Sequence, residues 1–204
     1  MDQSTQQETP AIGTPMRGGF FGGQVVVNER LYNLILAPKA LGQTENDMVY
    51  LDDGKDIPAK SYNDGLANTK AMADAGSGLA KWALGLNIDG CTDYYIPSQD
   101  ELEVLYRAFK PTTETNWCYF RSGINLSTPV PTRPYTPAFP PQTSLDAFRK
   151  DGREAFDTAW HWSSTQYVAG PSDAWCQHFG YGDQDYDGVS SALRARAVRR
   201  ELVI

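Results

Sequence analysis

Cysteine and histidine are scarce in this chain. The three cysteines, Cys91, Cys118 and Cys176, are scattered without a C-x-x-C pair, which argues against a disulfide framework and a structural zinc site. The two histidines, His161 and His178, limit metal and acid–base chemistry further. No apolar run reaches the ~18 residues that a membrane span requires. The opening MDQSTQQETP lacks the basic-then-apolar order of a secretory signal, so synthesis in a cytoplasm is expected. A Gly-x-Ser-x-Gly nucleophile elbow and a Gly-Lys-Ser/Thr phosphate loop are both missing. Positive charge is in deficit as well: the net charge of −7 argues against nucleic acid or an anionic membrane as a general partner.

Aromatic residues, by contrast, are plentiful, with five Trp and eleven Tyr in 204 residues. Such side chains serve both cores and contact surfaces. The polar Gln/Thr/Pro-rich opening has no hydrophobic anchor, so residues 1–17 are expected to be a flexible arm and residues 18–204 one domain. Val25–Val27 and Leu31–Leu36 flank the short Asn28-Glu29 break and predict a hairpin, with Gly18, Gly19, Gly22 and Gly23 as turn and packing glycines. From Asn63 to Leu86, Leu66, Met72, Leu79, Trp82 and Leu86 recur at helical spacing, and Gly76-Ser77-Gly78 interrupts them. A short strand, Tyr94–Ile96, precedes a second helix that starts at Ser98, forms a capping box with Glu101 and ends before Pro111. The proline-rich residues 128–142 read as an extended surface loop, and a short helix is expected near Leu145–Phe148. The closing Leu193–Arg200 reads as a strand with Leu193, Ala195 and Ala197 on one side and arginines on the other. This pattern predicts an α+β fold with two helices, long loops and a mainly antiparallel sheet.

Two chemistries are suggested by local motifs, and both are weakened by their surroundings. His161 stands beside Ser163 and Ser164, but no strand–turn–helix elbow presents a serine nucleophile. Asp183-Gln184-Asp185-Tyr186-Asp187-Gly188 matches the opening of a calcium loop, yet the twelfth position is Arg194 where a glutamate is needed. An ordinary acidic turn is the preferred reading there. The expectation is therefore a protein without a catalytic centre, metal or cofactor. What remains is the crowd of aromatics between Trp160 and Tyr186, interleaved with Asp, Ser and Gly. That mixture combines rigid contact area with adaptable hydrogen bonding, as in antibody paratopes.

Several motifs also carry a family resemblance. Tyr95-Ile96-Pro97-Ser98-Gln99-Asp100-Glu101-Leu102 resembles the W-R-L-P-S/T-x-x-E-L helix start of DUF1566 proteins. Trp162-Ser163-Ser164-Thr165, Ala174-Trp175 and Arg196-Ala197-Val198-Arg199 look like further signatures of that family, from about Gly18 to the end. GGFFGGQVVV, LILAPKA and DGLANTKAM look like a phage-associated subgroup. The resemblance implies a C-type-lectin-like fold, shared with formylglycine-generating enzymes. The paired-cysteine copper site of those enzymes has no counterpart here, nor do the Glu-Pro-Asn, Gln-Pro-Asp and Trp-Asn-Asp calcium motifs of lectins.

A further likeness is to the variable proteins of diversity-generating retroelements, in which Asn codons change to Tyr, Asp, His, Ser, Cys, Gly, Val or Pro. Between Ala155 and Arg200 there is no Lys, Glu or Met, and the residues between Trp and Gln come largely from that reachable set. The alternative is a fixed lectin-like surface. Together the resemblances imply a non-enzymatic receptor-binding protein of a phage virion. Its ligand-contact residues would be His161, Tyr167, Asp173, His178, Tyr181, Asp183, Asp185, Tyr186 and Asp187, with Trp160, Trp162 and Trp175 as scaffold beneath. The partners implied are a host-cell surface protein or glycan, and other virion proteins through the arm; a homo-oligomer is compatible with this. The competing reading is a calcium-assisted carbohydrate binder, or an enzyme, on the same fold.

Overall fold

In the computed structural model, which describes residues 8–118 and 135–204, the expected hairpin closes through two residues of positive φ, Asn28 (49°) and Glu29 (63°). Two consecutive left-handed residues match the twist of the flanking strands, as in a type I′ turn. Among the described residues the elements are β1 (Pro15–Met16), β2 (Gly19–Val27), β3 (Arg30–Leu36), α1 (Lys39–Gly42), β4 (Met48–Val49), α2 (Gly65–Asp74), α3 (Gly78–Leu84), α4 (Gln99–Phe109), a 3-10 turn (Asp146–Phe148), β5 (Trp160–Gln166), β6 (Asp173–His178), β7 (Gln184–Gly188), β8 (Ala192–Leu193) and β9 (Val198–Leu202). The fold is α+β, with every sheet antiparallel.

The strands make three sheets rather than one: β1-β2-β3-β9, β4-β8 and β5-β6-β7. The first joins the two ends of the described chain, with Tyr32 opposite Leu202 and Leu36 opposite Val198. The chain enters this sheet earlier than the boundary expected at residue 18. Pro15 pairs with Phe20, and the Gly13 N–H donates to the Phe21 carbonyl at 2.8 Å. The glycines of β2 make room for α4. A Cβ on Gly22 would come within 2.7 Å of Leu105 Cδ2, and one on Gly23, at a φ of 134° in a bulge, within 2.8 Å of Val104 Cγ1.

The expected interruption at Gly76 divides the first helical segment into α2 and α3, because Gly76 takes a φ of 109° and the Ser77 hydroxyl caps Ala80. The capping box at the start of α4 forms as expected. Glu101 is fully buried there and accepts from Ser98 N at 2.8 Å, Gly65 N at 3.1 Å and the Tyr95 hydroxyl at 2.7 Å. Tyr94–Ile96 contributes a single bridge, Tyr95 to Val198, instead of a strand. Of the proline-rich residues 128–142, those at 128–134 lie outside the described residues; in the rest Thr136 pairs with Phe139 in a tight bridge, and Tyr135 and Pro140 are buried while Thr136, Pro137, Ala138 and Pro141 are exposed.

The C-terminal segment departs from simple alternation. Arg196 is 1% exposed, between the equally buried Ala195 and Ala197. Its guanidinium donates to the carbonyls of Ala37 (2.9 Å) and Glu154 (2.7 Å) and to Glu154 Oε2 (2.8 Å), and lies over the Phe156 ring. A chain wrapped on both sides buries both of its faces, so sequence alternation there does not separate inside from outside.

Two large apolar clusters flank β5-β6-β7. One gathers α4, the first sheet, Phe156 and Phe179. The other gathers Tyr50, Met72, Leu79, Trp162, Ala174 and Cys176 over α2 and α3. The third sheet is thus covered on both sides along part of its length. Where that cover ends decides which side chains meet solvent.

Candidate functional site

Register and alternation sort the β5-β6-β7 side chains. Trp160 pairs with His178, Trp162 with Cys176, Trp175 with Tyr186 and Gln177 with both His161 and Gln184. Successive residues of a strand point to opposite faces. Trp162, Ala174 and Cys176 therefore share the face over α2 and α3, and all three are buried. His161, Asp173, Trp175, Gln177, Gln184 and Tyr186 share the other. On that second face α4 covers one end only: Gln177 Nε2 donates to Glu103 Oε2 at 2.6 Å, and Gln99 Nε2 to Gln184 Oε1 at 3.4 Å.

His161 consequently is not a contact residue. It turns away from Trp162 as alternation requires, but the face it turns to is covered, and its exposure is 0%. Its ring packs on Phe156 (centroids 5.3 Å) and Phe179 (4.8 Å). Nδ1 lies 3.0 Å from the Ala159 carbonyl, which only accepts, so Nδ1 carries the proton and Nε2 is bare. Burial pushes its pKa down to about 3, which keeps the ring neutral. Ser163 and Ser164 are equally buried; the Ser163 hydroxyl accepts from Thr165 N, and that of Ser164 faces the Gly65 carbonyl at 3.5 Å. Neither is set against the histidine as a nucleophile against a base.

Beyond the start of α4 the same face opens. Tyr167 and Tyr186 stack with centroids 4.3 Å apart and planes 8° apart, and Trp175 stands edge-on to both, at 5.6 and 5.9 Å. Tyr186 is 45% exposed and Val168, at the tip of the β5–β6 connection, 60%. Trp175 is half-buried and belongs to this cluster. It is not scaffold beneath the face, as expected from composition, but part of it. Its Nε1–H has no acceptor among the described residues. Asp173 lies two residues before Trp175 and shares its side of β6.

The floor of this end is pinned by Gln166, which is fully buried. Its amide donates to the carbonyls of Lys55 and Pro171, both at 2.8 Å, and accepts from Ile57 N (3.0 Å) and Lys60 Nζ (2.9 Å). Tyr167 N–H donates to the Asp173 carbonyl at 2.9 Å, and Asp173 N–H to that of Gly170 at 3.0 Å. The connection that carries Tyr167 is therefore tied at both of its ends and from below.

The remaining expected contact residues split into two groups. His178 and Tyr181 stack at 4.1 Å, with Trp160 edge-on to His178 at 5.3 Å, and Asp183 closes the turn by accepting at its carbonyl from His178 N at 2.8 Å. This second cluster sits at the far end of β6 from Tyr186, and burial lowers the His178 pKa. Asp185 and Asp187 are exposed on β7, on the opposite side of the strand from Tyr186. The acidic run is therefore strand and not a cation-binding loop. Asp187 Oδ1 accepts from Gly188 N (2.7 Å) and the Ser191 hydroxyl (2.9 Å), and Asp185 Oδ1 from Tyr186 N (2.9 Å). Among the described residues no group of three or more His, Cys, Asp or Glu is arranged to hold a metal ion.

Sequence reasoning missed the part played by Trp175, although its spacing from Asp173 carried the signal. It also gave no hint of the loop at residues 52–56, which reaches the site because Gly54 packs against Ser172. The chain matches no protein-family model, no curated protein and no solved structure in comparisons with known proteins.

Proposed function

We propose that this chain is a non-enzymatic binding protein that uses the open end of β5-β6-β7, on a C-type-lectin-like framework, to hold a receptor on a host-cell surface. The observation that carries this reading is the half-exposed Tyr167–Trp175–Tyr186 cluster, mounted on a floor whose hydrogen bonds are complete at Gln166. Rigid aromatic area, with Asp173 on the same side of β6, gives binding at small entropic cost. The phage setting, and attachment to other virion proteins through the N-terminal arm, rest on the motif resemblance alone.

Diversification of the face has its own support. Between Trp160 and Gly188, the residues of types that Asn codons reach divide: Tyr167, Val168, Gly170, Pro171, Ser172, Asp173, His178, Tyr181, Asp183, Asp185, Tyr186, Asp187 and Gly188 reach the surface to some degree, whereas His161, Ser163, Ser164, Cys176, Gly180 and Gly182 are buried. Gln166 and Gln177, unreachable from such codons, are buried and bonded.

The test of binding is to label bacterial cells with fluorescent wild-type protein and with Tyr167→Ala and Tyr186→Ala. The variants should keep the wild-type melting temperature and lose labelling. Labelling that survives both substitutions would rule this face out. For diversification, the gene should carry a near-copy of this segment rich in Asn codons beside a reverse transcriptase, and finding none would leave a fixed binder.

A further inference from the structure

β7 lies at the outside of the order β5-β6-β7, with β6 on one side only, and its Asp185, Tyr186 and Asp187 are exposed. In an antiparallel pair, residues that bond to the neighbouring strand alternate with residues whose N–H and C=O point away from it. The two ends of the β6–β7 ladder fix which are which. His178 N–H donates to the Asp183 carbonyl and Val189 N–H to that of Ser172, both at 2.8 Å. The register between them is unbroken, so the bonds to β6 run through Asp183, Asp185, Asp187 and Val189. The N–H and C=O groups of Gln184, Tyr186 and Gly188 therefore point off the sheet. Two of those three N–H groups are already engaged, each by the carboxylate of the residue before it. Tyr186 N–H donates to Asp185 Oδ1 at 2.9 Å, and Gly188 N–H to Asp187 Oδ1 at 2.7 Å. Ser191 secures the second arrangement, with its N–H on the Gly188 carbonyl at 2.8 Å and its hydroxyl on Asp187 Oδ1 at 2.9 Å. The third residue, Gln184, lies where α4 reaches the sheet, its side-chain carbonyl 3.4 Å from Gln99 Nε2.

We infer that Asp185 and Asp187 are caps of the β7 edge, and that they keep a second copy of this chain from adding its own β7 to the sheet. The outward groups are symmetrical about Tyr186, so two such edges would pair antiparallel with Gln184 opposite Gly188. Each carboxylate takes the backbone proton that the incoming strand needs, as local side-chain bonds do when they compete with a ladder. A charged acceptor holds that proton more strongly than a neutral carbonyl does, so the incoming strand is at a disadvantage. The register sets Asp185 opposite Cys176 and Asp187 opposite Ala174. Both carboxylates thus come from the side away from Tyr186 and Trp175, and their bonded oxygens serve the edge and not the aromatic face. The inference is independent of the binding role proposed for that face, and it gives two of the expected contact residues a different task.

The experiment is sedimentation velocity on the full chain over a range of protein concentrations, for wild type and two double variants. Asp185→Ala with Asp187→Ala removes the acceptors together with the charge. Asp185→Asn with Asp187→Asn removes the charge and keeps the Oδ1 acceptors that Tyr186 N, Gly188 N and Ser191 use. The alanine variant should self-associate at least about tenfold more tightly than wild type, since two donors lose their partners. The asparagine variant should sediment as wild type does. Amide exchange locates the contact: in the alanine variant the Tyr186 and Gly188 N–H groups should exchange quickly in dilute solution and slow as concentration rises. An alanine variant that sediments like wild type would overturn the inference. So would an asparagine variant that associates as the alanine one does, because charge and not capping would then guard the edge. Association that leaves those two amides unprotected would overturn it as well, by placing the contact elsewhere. Wild-type exchange decides the matter even where the alanine variant does not fold. The Tyr186 and Gly188 amides should exchange more slowly than unbonded exposed amides, and exchange at the unprotected rate would show that the carboxylates do not hold the edge.

Discussion

His161 and Tyr167 lie on the same short length of chain, both aromatic and both polar at one edge, yet one end of the sheet is sealed and the other open. At the sealed end α4, Phe156 and Phe179 cover the ring of His161, and Gln177 spends its amide on Glu103. At the open end the cover stops, and Tyr186 remains 45% exposed. Residue type does not distinguish the two ends; the position of the covering helix does. A surface for recognition can thus be made from the vocabulary of a core by where one covering helix begins.

The comparison is broken most severely by emptying the buried side of β5 behind the sealed end, over α2 and α3. Trp162→Ala removes a fully buried indole that packs on Tyr50 at 5.8 Å and donates to the Met48 carbonyl at 2.8 Å. A loss of about 3–5 kcal/mol is expected, read from the denaturant midpoint. A loss below about 1 kcal/mol would mean that this side of the sheet is not packed as described.

The pH dependence of the two ends should also differ. His161 has a folded pKa near 3, well below the value of an exposed imidazole, because burial disfavours its charge. Between those two values the unfolded chain binds the extra proton, so stability rises with pH there. The contribution is complete above the unfolded pKa of ~6.5 and is lost as pH falls toward 3. The slope should reach about 1.4 kcal/mol per pH unit. His161→Phe fills the same space without titrating, so it should flatten the profile between pH 6 and 4 relative to wild type. An unchanged slope in denaturation at several pH values would place the histidine in contact with water.

Gln166 stands at the border of the two regions, and its substitution sharpens the contrast. Gln166→Ala leaves the Lys55 and Pro171 carbonyls and Ile57 N without their side-chain partner, at an expected cost of about 1–3 kcal/mol. Because those bonds hold the connection that bears Tyr167, cell labelling should weaken along with stability. Destabilisation without any loss of labelling would show that the face does not depend on its floor. The smallest effect on stability belongs to Tyr186→Ala, under about 1 kcal/mol for an exposed strand residue, although it should abolish labelling. A thermal melt beside the labelling assay distinguishes the two quantities.

Features that depend on near neighbours in the chain were legible in the sequence. The Asn28-Glu29 turn, the Ser98–Glu101 box and the break at Gly76 each follow from a few adjacent residues, and each forms as read. Alternation correctly set Trp162 and His161 on opposite faces. It could not reveal that both faces are covered, because the cover comes from residues distant along the chain, such as Phe156 and Glu103. Arg196 was misplaced for the same reason, its partners being Ala37 and Glu154. In the contact set, the tyrosines and Asp185 and Asp187 reach the surface, His161 does not, and His178 with Tyr181 forms a separate cluster.

The pairing of β3 with β9 bears on how the molecule is made. β3 leaves the ribosome before the strands of the open face, and its partner β9 after them. Until then the hairpin presents one unsatisfied edge, a row of backbone donors and acceptors open to any other extended chain. The segment that carries the open face is synthesised in that interval, while the pairing of β3 with β9 is still incomplete. A chain cut before Val198 would keep the face's residues and lose the closure, leaving the β3 edge as a template for aggregation.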